Sequence, residues 1–263
     1  MIVRWIERFG RYIQDFVESW GGFLFFLVRS VIWIFRPPWR LNLIMAQLEF
    51  VGVQSLSIIM VTGFFTGGVF ALQAEYGFGL FGAQSLTGST VLLALSRSIG
   101  PVFAALMVVA RAGSAMAAEI GTMKVTEQID ALEAMAVDPL EYLVAPRLVG
   151  GTFMLPLLSA LFTAVGLVGT WMVSVKLLLI NEGAFWERIY WYADPEDLLF
   201  GLAKASVFGF VLAAVGCYKG LNVRGGAAGV GQATTQAVVV SSVSILVLDY
   251  FLTDFLMSMG WLT

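Results

Sequence analysis

Long stretches without a charged residue constrain this chain more than any other feature. Three of them, each bounded by charged residues, are Phe50–Ala74, Leu148–Val175 and Gly225–Leu248. Each exceeds the roughly 20 apolar residues that a helix needs to cross the hydrocarbon core of a membrane. Two further stretches, about Gly88–Ala110 and Leu198–Tyr218, are similarly apolar but each contains one basic residue. The sequence therefore predicts five membrane-spanning helices.

The composition excludes a soluble domain. Of the 263 residues, 59% are hydrophobic and 13% are charged, whereas soluble domains are about 25% charged. The absence of histidine and the presence of a single cysteine, Cys217, exclude imidazole catalysis, histidine metal sites and internal disulfides. No basic run indicates nucleic-acid binding, and no ten-residue alternation of polarity indicates a β-barrel. The predicted fold class is an all-α integral membrane protein.

The distribution of lysine and arginine predicts the orientation in the membrane. The segment before the first span and the loops after the second and fourth spans hold most of the cations: Arg4, Arg8, Arg11, Arg29, Arg36, Arg40, Arg111, Lys124, Arg147, Lys219 and Arg224. The opposite loops hold one cation and five acids: Arg188, Glu182, Glu187, Asp194, Glu196 and Asp197. Because loops rich in Lys and Arg stay in the cytoplasm, we expect a cytoplasmic N-terminus and a periplasmic C-terminus.

Residues 1–40 are predicted to lie along the membrane surface, and residues 41–263 to form the five-span domain. In the first 20 residues, apolar side chains recur every three or four positions opposite a charged face, as in an interfacial helix: Ile2, Ile6, Phe9, Ile13, Phe16 and Trp20. A second apolar run, Phe23–Phe35, is interrupted by Arg29 and followed by two prolines. With about 13 residues it is too short to span unaided. A re-entrant or spanning helix is the alternative.

The glycine-rich run Gly225–Thr235 shares only its glycine spacing with a phosphate-binding loop. Such a loop continues with Lys and Ser or Thr, which bind the phosphates and magnesium, but here Gln232 and Ala233 occupy those positions. The run is instead predicted to be a flexible turn before the last span. The chain is therefore not expected to hydrolyse ATP itself.

The segment 111–147, between the second and third spans, is predicted to contain a short cytoplasmic helix. Thr126 is expected to cap it, and Asp138-Pro139 to end it, because proline disfavours a helical conformation in the residue before it. Its apolar stripe and its acidic face are formed by Val125, Ile129, Leu132 and Met135, and by Glu127, Asp130 and Glu133, respectively. Membrane anchors usually carry Lys and Arg on the polar face. The acidic face therefore favours docking of a protein partner over anchoring.

Several blocks of sequence resemble the MlaE-type permeases, the transmembrane subunits of bacterial ABC transporters that move phospholipid between the inner and outer membranes. The blocks are Arg111-Ala112-Gly113-Ser114, Ala118-Glu119-Ile120-Gly121, Thr126-Glu127-Gln128, Met135-Ala136-Val137-Asp138-Pro139, Gly229-Val230-Gly231-Gln232-Ala233-Thr234-Thr235, Ser241-Ser242 and Asp249-Tyr250-Phe251-Leu252-Thr253. The resemblance extends over nearly the whole chain from about Leu48 onward.

This resemblance implies a homodimer of five-span protomers with an N-terminal elbow helix, in the inner membrane of a Gram-negative-type envelope. It implies three partners: a separate ATPase that binds ATP and magnesium, a periplasmic MCE-domain protein, and often a STAS-domain protein. The coupling helix seated on the ATPase would comprise Val125, Thr126, Glu127, Gln128, Ile129, Asp130, Leu132, Glu133, Met135 and Asp138. Motif residues with an expected structural role are Arg111, Gly113, Glu119, Gly121, Pro139 and Asp249. No cofactor or metal is expected on this chain.

Arg97 and Lys204 lie inside predicted spans, where a charge normally faces a cavity or a partner. We predict that both line the cavity of the dimer and attract the phosphate of the lipid headgroup. The alternatives are a structural ion pair of Arg97 with a carboxylate such as Asp249, and snorkelling of Lys204 towards the periplasmic interface. MlaE-type permeases often have Glu directly after this arginine. Because Ser98 stands there, Arg97 is expected to be unpaired and free to bind phosphate.

Three other function classes are alternatives. An ion-coupled secondary transporter or channel would need inward-facing carboxylates in its spans, but only Asp249 and Asp254, near the outer end, come close. A membrane-embedded enzyme would lack both histidine and a clustered acid pair. An assembly scaffold would be insensitive to the loss of Arg97 and Lys204.

Overall fold

The computed structural model describes residues 21–37 and 40–259, so the helix predicted within the first 20 residues lies outside the described residues. In the part described, the regular elements are helical: α1 (Gly21–Phe35), α2 (Leu41–Gly79), α3 (Gln84–Val125), α4 (Gln128–Ala134), α5 (Leu140–Leu177), α6 (Glu182–Tyr192), α7 (Pro195–Leu221) and α8 (Gly226–Ser258). Five of them, α2, α3, α5, α7 and α8, are long and apolar enough to cross a membrane. The predicted fold class and number of spans are confirmed.

Three of these helices are longer than a bilayer is thick. α2, α3 and α5 contain 39, 42 and 38 residues, or about 60 Å each at 1.5 Å per residue, whereas a bilayer with its headgroups is about 40–45 Å thick. The helices are interrupted by single irregular turns rather than by loops. Residues 111–125 continue α3 and residues 140–147 begin α5, so only residues 126–139 of the segment 111–147 connect two spans. We call this side of the bundle the α4 end and the opposite side the α6 end.

Small residues bring the spans into backbone contact. A Cβ atom on Gly67 of α2 would overlap the carbonyl oxygen of Gly166 of α5, and one on Gly63 would lie 2.9 Å from the carbonyl oxygen of Phe162. Such contacts replace the hydrophobic driving force that is missing between helices in lipid. α5 and α7 form the centre of the bundle, and α2, α3 and α8 pack around them.

α8 lies at the periphery and contacts the bundle through one stripe. Its buried residues are Ala233, Ala237, Ser241 and Ile245, each four positions from the next. The glycine-rich run is helical from Gly226 onward, so the prediction of a flexible turn through Thr235 is wrong. Within this run, only Gly225 and Gly226 have positive φ, 91° and 66°. Of the two glycines that follow them, Gly229 packs against the carbonyl oxygen of Arg224, and a Cβ on Gly231 would meet open space.

α4 is shorter than predicted. α3 continues to Val125, and the Thr126 hydroxyl donates to the carbonyl oxygen of Thr122, 2.9 Å away, instead of to the start of α4. Glu127, with φ 59°, precedes α4 in a left-handed conformation without a side-chain cap. The prediction that Thr126 caps this helix is therefore wrong, because the hydroxyl already satisfies the preceding helix.

Candidate functional site

The helix that carries Arg97 is irregular around that residue. Leu95–Ile99 form a π-helical turn just before Gly100 and Pro101. Pro101 has no N–H group to donate to the preceding turn, and π turns of this kind are frequent at functional sites. The Thr163 hydroxyl of α5 donates to the carbonyl oxygen of Leu95 at 3.3 Å. A neighbouring span thus satisfies a backbone group inside the membrane, as a lipid environment requires.

α7 meets this turn at Gly201. A Cβ atom on Gly201 would overlap the carbonyl oxygen of Ser96, so the two backbones touch. Asp197, Gly201 and Lys204 are spaced by four and three residues and therefore share one face of α7. The contact at Gly201 thus places a carboxylate and an ammonium group on either side of the irregular turn of α3.

Arg97 forms an ion pair with Asp197. Its Nε and Nη2 atoms both lie 2.6 Å from Asp197 Oδ1. The Asp197 side chain is only 5% exposed and that of Arg97 is 37% exposed. The expectation of an unpaired Arg97 is wrong: the residue forms the structural ion pair with a carboxylate that was the alternative, with Asp197 rather than Asp249 as the partner. The guanidinium group nevertheless keeps an exposed edge, since a guanidinium has five N–H donors and only Nε and Nη2 contact Asp197.

Lys204 is completely buried and its ammonium group is fully engaged. Its Nζ atom lies 2.5 Å from Asp249 Oδ1, 2.9 Å from Ser98 Oγ and 3.0 Å from Thr253 Oγ1. An ammonium group has three donors, so these contacts use all of them. The side chain is 0% exposed, which overturns the alternative of snorkelling to the interface. The two ion pairs and the hydroxyls around them form what we call the charge cluster: Arg97, Ser98, Asp197, Lys204, Asp249 and Thr253.

The sequence did not identify three members of the charge cluster as partners of Arg97 or Lys204: Asp197, Ser98 and Thr253. The charge pattern assigns Asp197 to an outer loop, but the residue lies in the first turn of α7. The spacing between Asp197 and Lys204 could have indicated that Asp197 belongs to the cluster, because it places both side chains on one face of a helix. No comparable signal links Ser98 or Thr253 to a lysine on a different helix.

The predicted coupling residues form an exposed surface at the α4 end. Ile129 is buried and Leu132 packs against the core, whereas the acidic residues Glu127, Asp130 and Glu133 are exposed. Val125 and Met135, which were assigned to the apolar stripe, are 39% and 66% exposed. Gln128 is exposed beside them. α4 therefore rests on the bundle through two side chains and presents a mixed acidic and apolar surface outward.

Asp138 connects this surface to α1 and α5. Its Oδ2 atom accepts from Arg29 Nη2 at 2.9 Å and from Trp33 Nε1 at 3.2 Å, and its Oδ1 atom accepts from the Leu140 N–H at 2.9 Å. The carboxylate thus holds α1 against the start of α5. A direct contact of Asp138 with a partner stays a prediction, and the structure gives the residue an internal role.

Arg111 lies in the half of α3 nearer the α4 end and connects this helix to the irregular turn of α2. Its Nε atom donates to Ser55 Oγ at 2.9 Å, its Nη1 atom to Gln54 Oε1 at 3.2 Å, and its Nη2 atom to the carbonyl oxygen of Phe50. These acceptors lie at or just before the turn Val53–Ser55. The guanidinium fork therefore holds α2 and α3 in register.

The other motif residues also contribute to helix packing. Glu119 forms a 2.7 Å ion pair with Arg147, which is nearly buried in α5. A Cβ atom on Gly121 would lie 2.9 Å from Val223 Cγ2, and Gly113 and Pro139 are buried.

The motif blocks and the five spans agree with a comparison to protein families. A family model described as Permease MlaE matches residues 44–255, which is most of the chain. The chain belongs to the MlaE permease family. This match confirms the resemblance seen in the sequence and identifies the chain as a multi-pass membrane permease of that family.

Relatives of this MlaE-family permease occur in bacteria and in a plant, and the two bacterial ones match over nearly their whole length. A "Probable ABC transporter permease protein" of Rickettsia conorii is 44% identical over 93% of this chain and 95% of its own length. The "Intermembrane phospholipid transport system permease protein MlaE" of Haemophilus influenzae is 38% identical over 99% of this chain and 100% of its own length. A chloroplast protein of Arabidopsis thaliana, trigalactosyldiacylglycerol 1, is 36% identical over 82% of this chain and 61% of its own length.

Proposed function

We propose that this permease is the membrane subunit of an ABC transporter that moves phospholipid between the inner and outer membranes of a Gram-negative-type envelope. A separate ATPase subunit would bind ATP and magnesium. The observation that carries the proposal is the exposed acidic surface of α4, held between two long spans of an MlaE-family chain. The relative in Haemophilus influenzae is named for intermembrane phospholipid transport, which supports the same substrate here.

The glycine-rich run supports the placement of ATP on another subunit. In a phosphate-binding loop the glycines follow a strand and precede a lysine. Here the run lies in the first turns of α8, it is preceded by a short turn after α7, and Gln232 occupies the lysine position.

The α4 surface is suited to transmit movement from an ATPase. Its mixed acidic and apolar character fits a groove with basic and apolar side chains. α4 connects directly to α3 and α5, and both helices contain π turns. A push on α4 would therefore shift two spans that have irregular turns along their length, and α3 carries Arg97 on one of them.

The proposed orientation follows from the charge distribution. The α4 end would face the cytoplasm and the ATPase, which itself often carries a STAS-domain protein. The α6 end would face the periplasm and an MCE-domain protein. Two copies of the chain would form the homodimer that encloses the lipid cavity.

Within this cavity we assign the headgroup phosphate to Arg97. Its side chain is 37% exposed, and the Nη1 atom has no contact with Asp197. Lys204 was predicted for the same role, but its three donors contact Asp249, Ser98 and Thr253. The geometry therefore favours Arg97 as the contact and Lys204 as a fixed charge behind it.

Reversal of charge on α4 tests the proposed ATPase contact. The double variant Glu127→Lys and Glu133→Lys is expected to reduce co-purification of the co-expressed ABC ATPase about tenfold or more, because like charges placed opposite each other in an interface are strongly unfavourable. Asp130 is left unchanged because it forms a 2.7 Å ion pair with Lys124.

The matched control is Glu187→Lys and Glu196→Lys, two exposed acids at the α6 end. This variant is expected to retain the ATPase at the wild-type level. Equal amounts of ATPase with both variants, in protein with an unchanged gel-filtration profile, would contradict the proposed docking surface.

Mass spectrometry of the lipid retained by the purified complex tests the role of Arg97. Arg97→Gln is expected to lower retained phospholipid about tenfold, the range of a charge-assisted hydrogen bond. Asp197→Asn removes the internal partner but keeps the cation, so it is expected to retain lipid at the wild-type level or above. Wild-type retention by Arg97→Gln, or equal loss in both variants, would overturn the assignment and favour the scaffold alternative.

A further inference from the structure

Lys219 and Arg224, two basic residues at the α4 end, line one cavity and form no ion pair with a carboxylate in the described part of the chain. In the described part of the chain, six cations form ion pairs with carboxylates: Arg29, Arg40, Arg97, Lys124, Arg147 and Lys204. Lys219 and Arg224 are not among them, yet both line the same cavity of about 440 Å³ between the end of α7 and the start of α8. Two uncompensated positive charges thus converge on one space.

The other side chains of this cavity are uncharged, and several of them are polar. They include Asn222, Gln232 and Gln236, and no carboxylate lines it. Lys219 Nζ donates to Gln236 Oε1 at 3.2 Å, which places the ammonium group beside the α8 wall. The cavity therefore combines two cations with amide donors, a set that complements an anion with several acceptor oxygens.

The cavity adjoins α1, the helix predicted to lie at the membrane surface. Tyr218, which lines it, packs its ring 5.1 Å from that of Phe23 and 5.3 Å from that of Phe26 on α1. α1 is too short to span and exposes apolar side chains such as Phe25, which is 65% exposed. A helix of this kind lies at the boundary between headgroups and acyl chains. The cavity beside it is thus within reach of lipid headgroups.

We propose that this cavity binds the phosphate-containing headgroup of an anionic phospholipid in the leaflet at the α4 end. Anionic and zwitterionic headgroups can share the same phosphodiester, but a zwitterionic headgroup adds a cation that Lys219 and Arg224 would repel, so the two cations favour a headgroup with net negative charge. The site is separate from the charge cluster, because Lys219 lies 15 residues along α7 from Lys204, or about 22 Å. Free inorganic phosphate shares the chemistry, but the depth beside α1 favours a lipid.

Native mass spectrometry of the full chain, titrated with dioctanoyl phosphatidylglycerol and with dioctanoyl phosphatidylcholine, tests the proposal. The double variant Lys219→Gln and Arg224→Gln is expected to bind phosphatidylglycerol about 30-fold more weakly, given the contribution of two cations near a membrane surface. Its affinity for phosphatidylcholine is expected to change little. If the double variant does not fold, each single variant is expected to lose about fivefold.

The matched control is Lys176→Gln and Arg188→Gln. It removes two cations at the α6 end, neither of which belongs to the six ion pairs. It is expected to leave both affinities unchanged. An equal loss in the control, or no loss in Lys219→Gln and Arg224→Gln, would overturn the proposal.

Displacement of phosphatidylglycerol by equimolar inorganic phosphate would indicate a free-anion site instead. Loss of co-purified ATPase with unchanged lipid affinity would indicate a protein contact, and either result would overturn the lipid site.

Discussion

Replacement of Asp249 with leucine is expected to lower the free energy of unfolding by about 3–5 kcal/mol. The substitution leaves the Lys204 ammonium group, which is 0% exposed, with two hydroxyl acceptors and no opposite charge. A buried cation without its counter-ion retains its full desolvation cost while losing the attraction that offset it. Equilibrium unfolding in mixed micelles measures the effect.

A double-mutant cycle separates the ion pair from other effects of the substitution. The variant Lys204→Met and Asp249→Leu removes both charges and is expected to recover most of the lost stability, since replacing a buried pair with apolar residues is often neutral. Asp254→Leu is the control on the same helix, because Asp254 is exposed and forms no ion pair with another described residue. If Asp249→Leu destabilises the protein no more than Asp254→Leu, the ion pair does not hold α7 against α8.

Replacement of Gly201 with valine is expected to destabilise the fold by about 3 kcal/mol, the upper end of the usual cost of overpacking. A Cβ atom at this position would overlap the Ser96 carbonyl oxygen and lie 3.1 Å from Pro101 Cγ. Because backbone and a proline ring cannot rotate away, α7 would have to move from α3. That movement would displace the irregular turn of α3 that carries Arg97, and with it the proposed phosphate contact. We therefore expect retained phospholipid to fall together with stability, measured by mass spectrometry and unfolding of the same preparation.

Gly77→Val is the matched control, because no atom lies within 4 Å of a Cβ placed on Gly77. It is expected to leave stability within about 0.5 kcal/mol of wild type and lipid retention unchanged. A similar loss in both variants would mean that valine in a span, and not the contact at Gly201, causes the effect.

The number and type of the spans were predictable because a bilayer leaves few choices. Every backbone group inside lipid needs a partner within the protein, so a long apolar stretch has to be helical. Five such stretches predict five spans, even where Arg97 or Lys204 interrupts them. The exposed acidic face of α4 was also predictable, because the carboxylates of Glu127, Asp130 and Glu133 favour contact with water over an apolar environment.

The ends of the helices were less predictable. Thr126 has the right residue type for an N-cap, but whether its hydroxyl bonds forward or backward depends on where α3 stops. Gly225–Thr235 has the composition of a turn, yet it is helical from Gly226 onward and begins the contact of α8 with the bundle at Ala233. In both cases packing of the long helices overrides the local preference.

The pairing of charges was decided only by the tertiary structure. The sequence by itself determined that Arg97 and Lys204 are intramembrane cations and that few carboxylates are available to them. It did not determine that Asp197 pairs with Arg97 and Asp249 with Lys204. These partners are 100 and 45 residues apart in the chain, and which of them meet depends on the rotation and depth of each helix. For Arg97 and Asp197, the backbone contact at Gly201 contributes to both, and this contact exists only once α3 and α7 have packed.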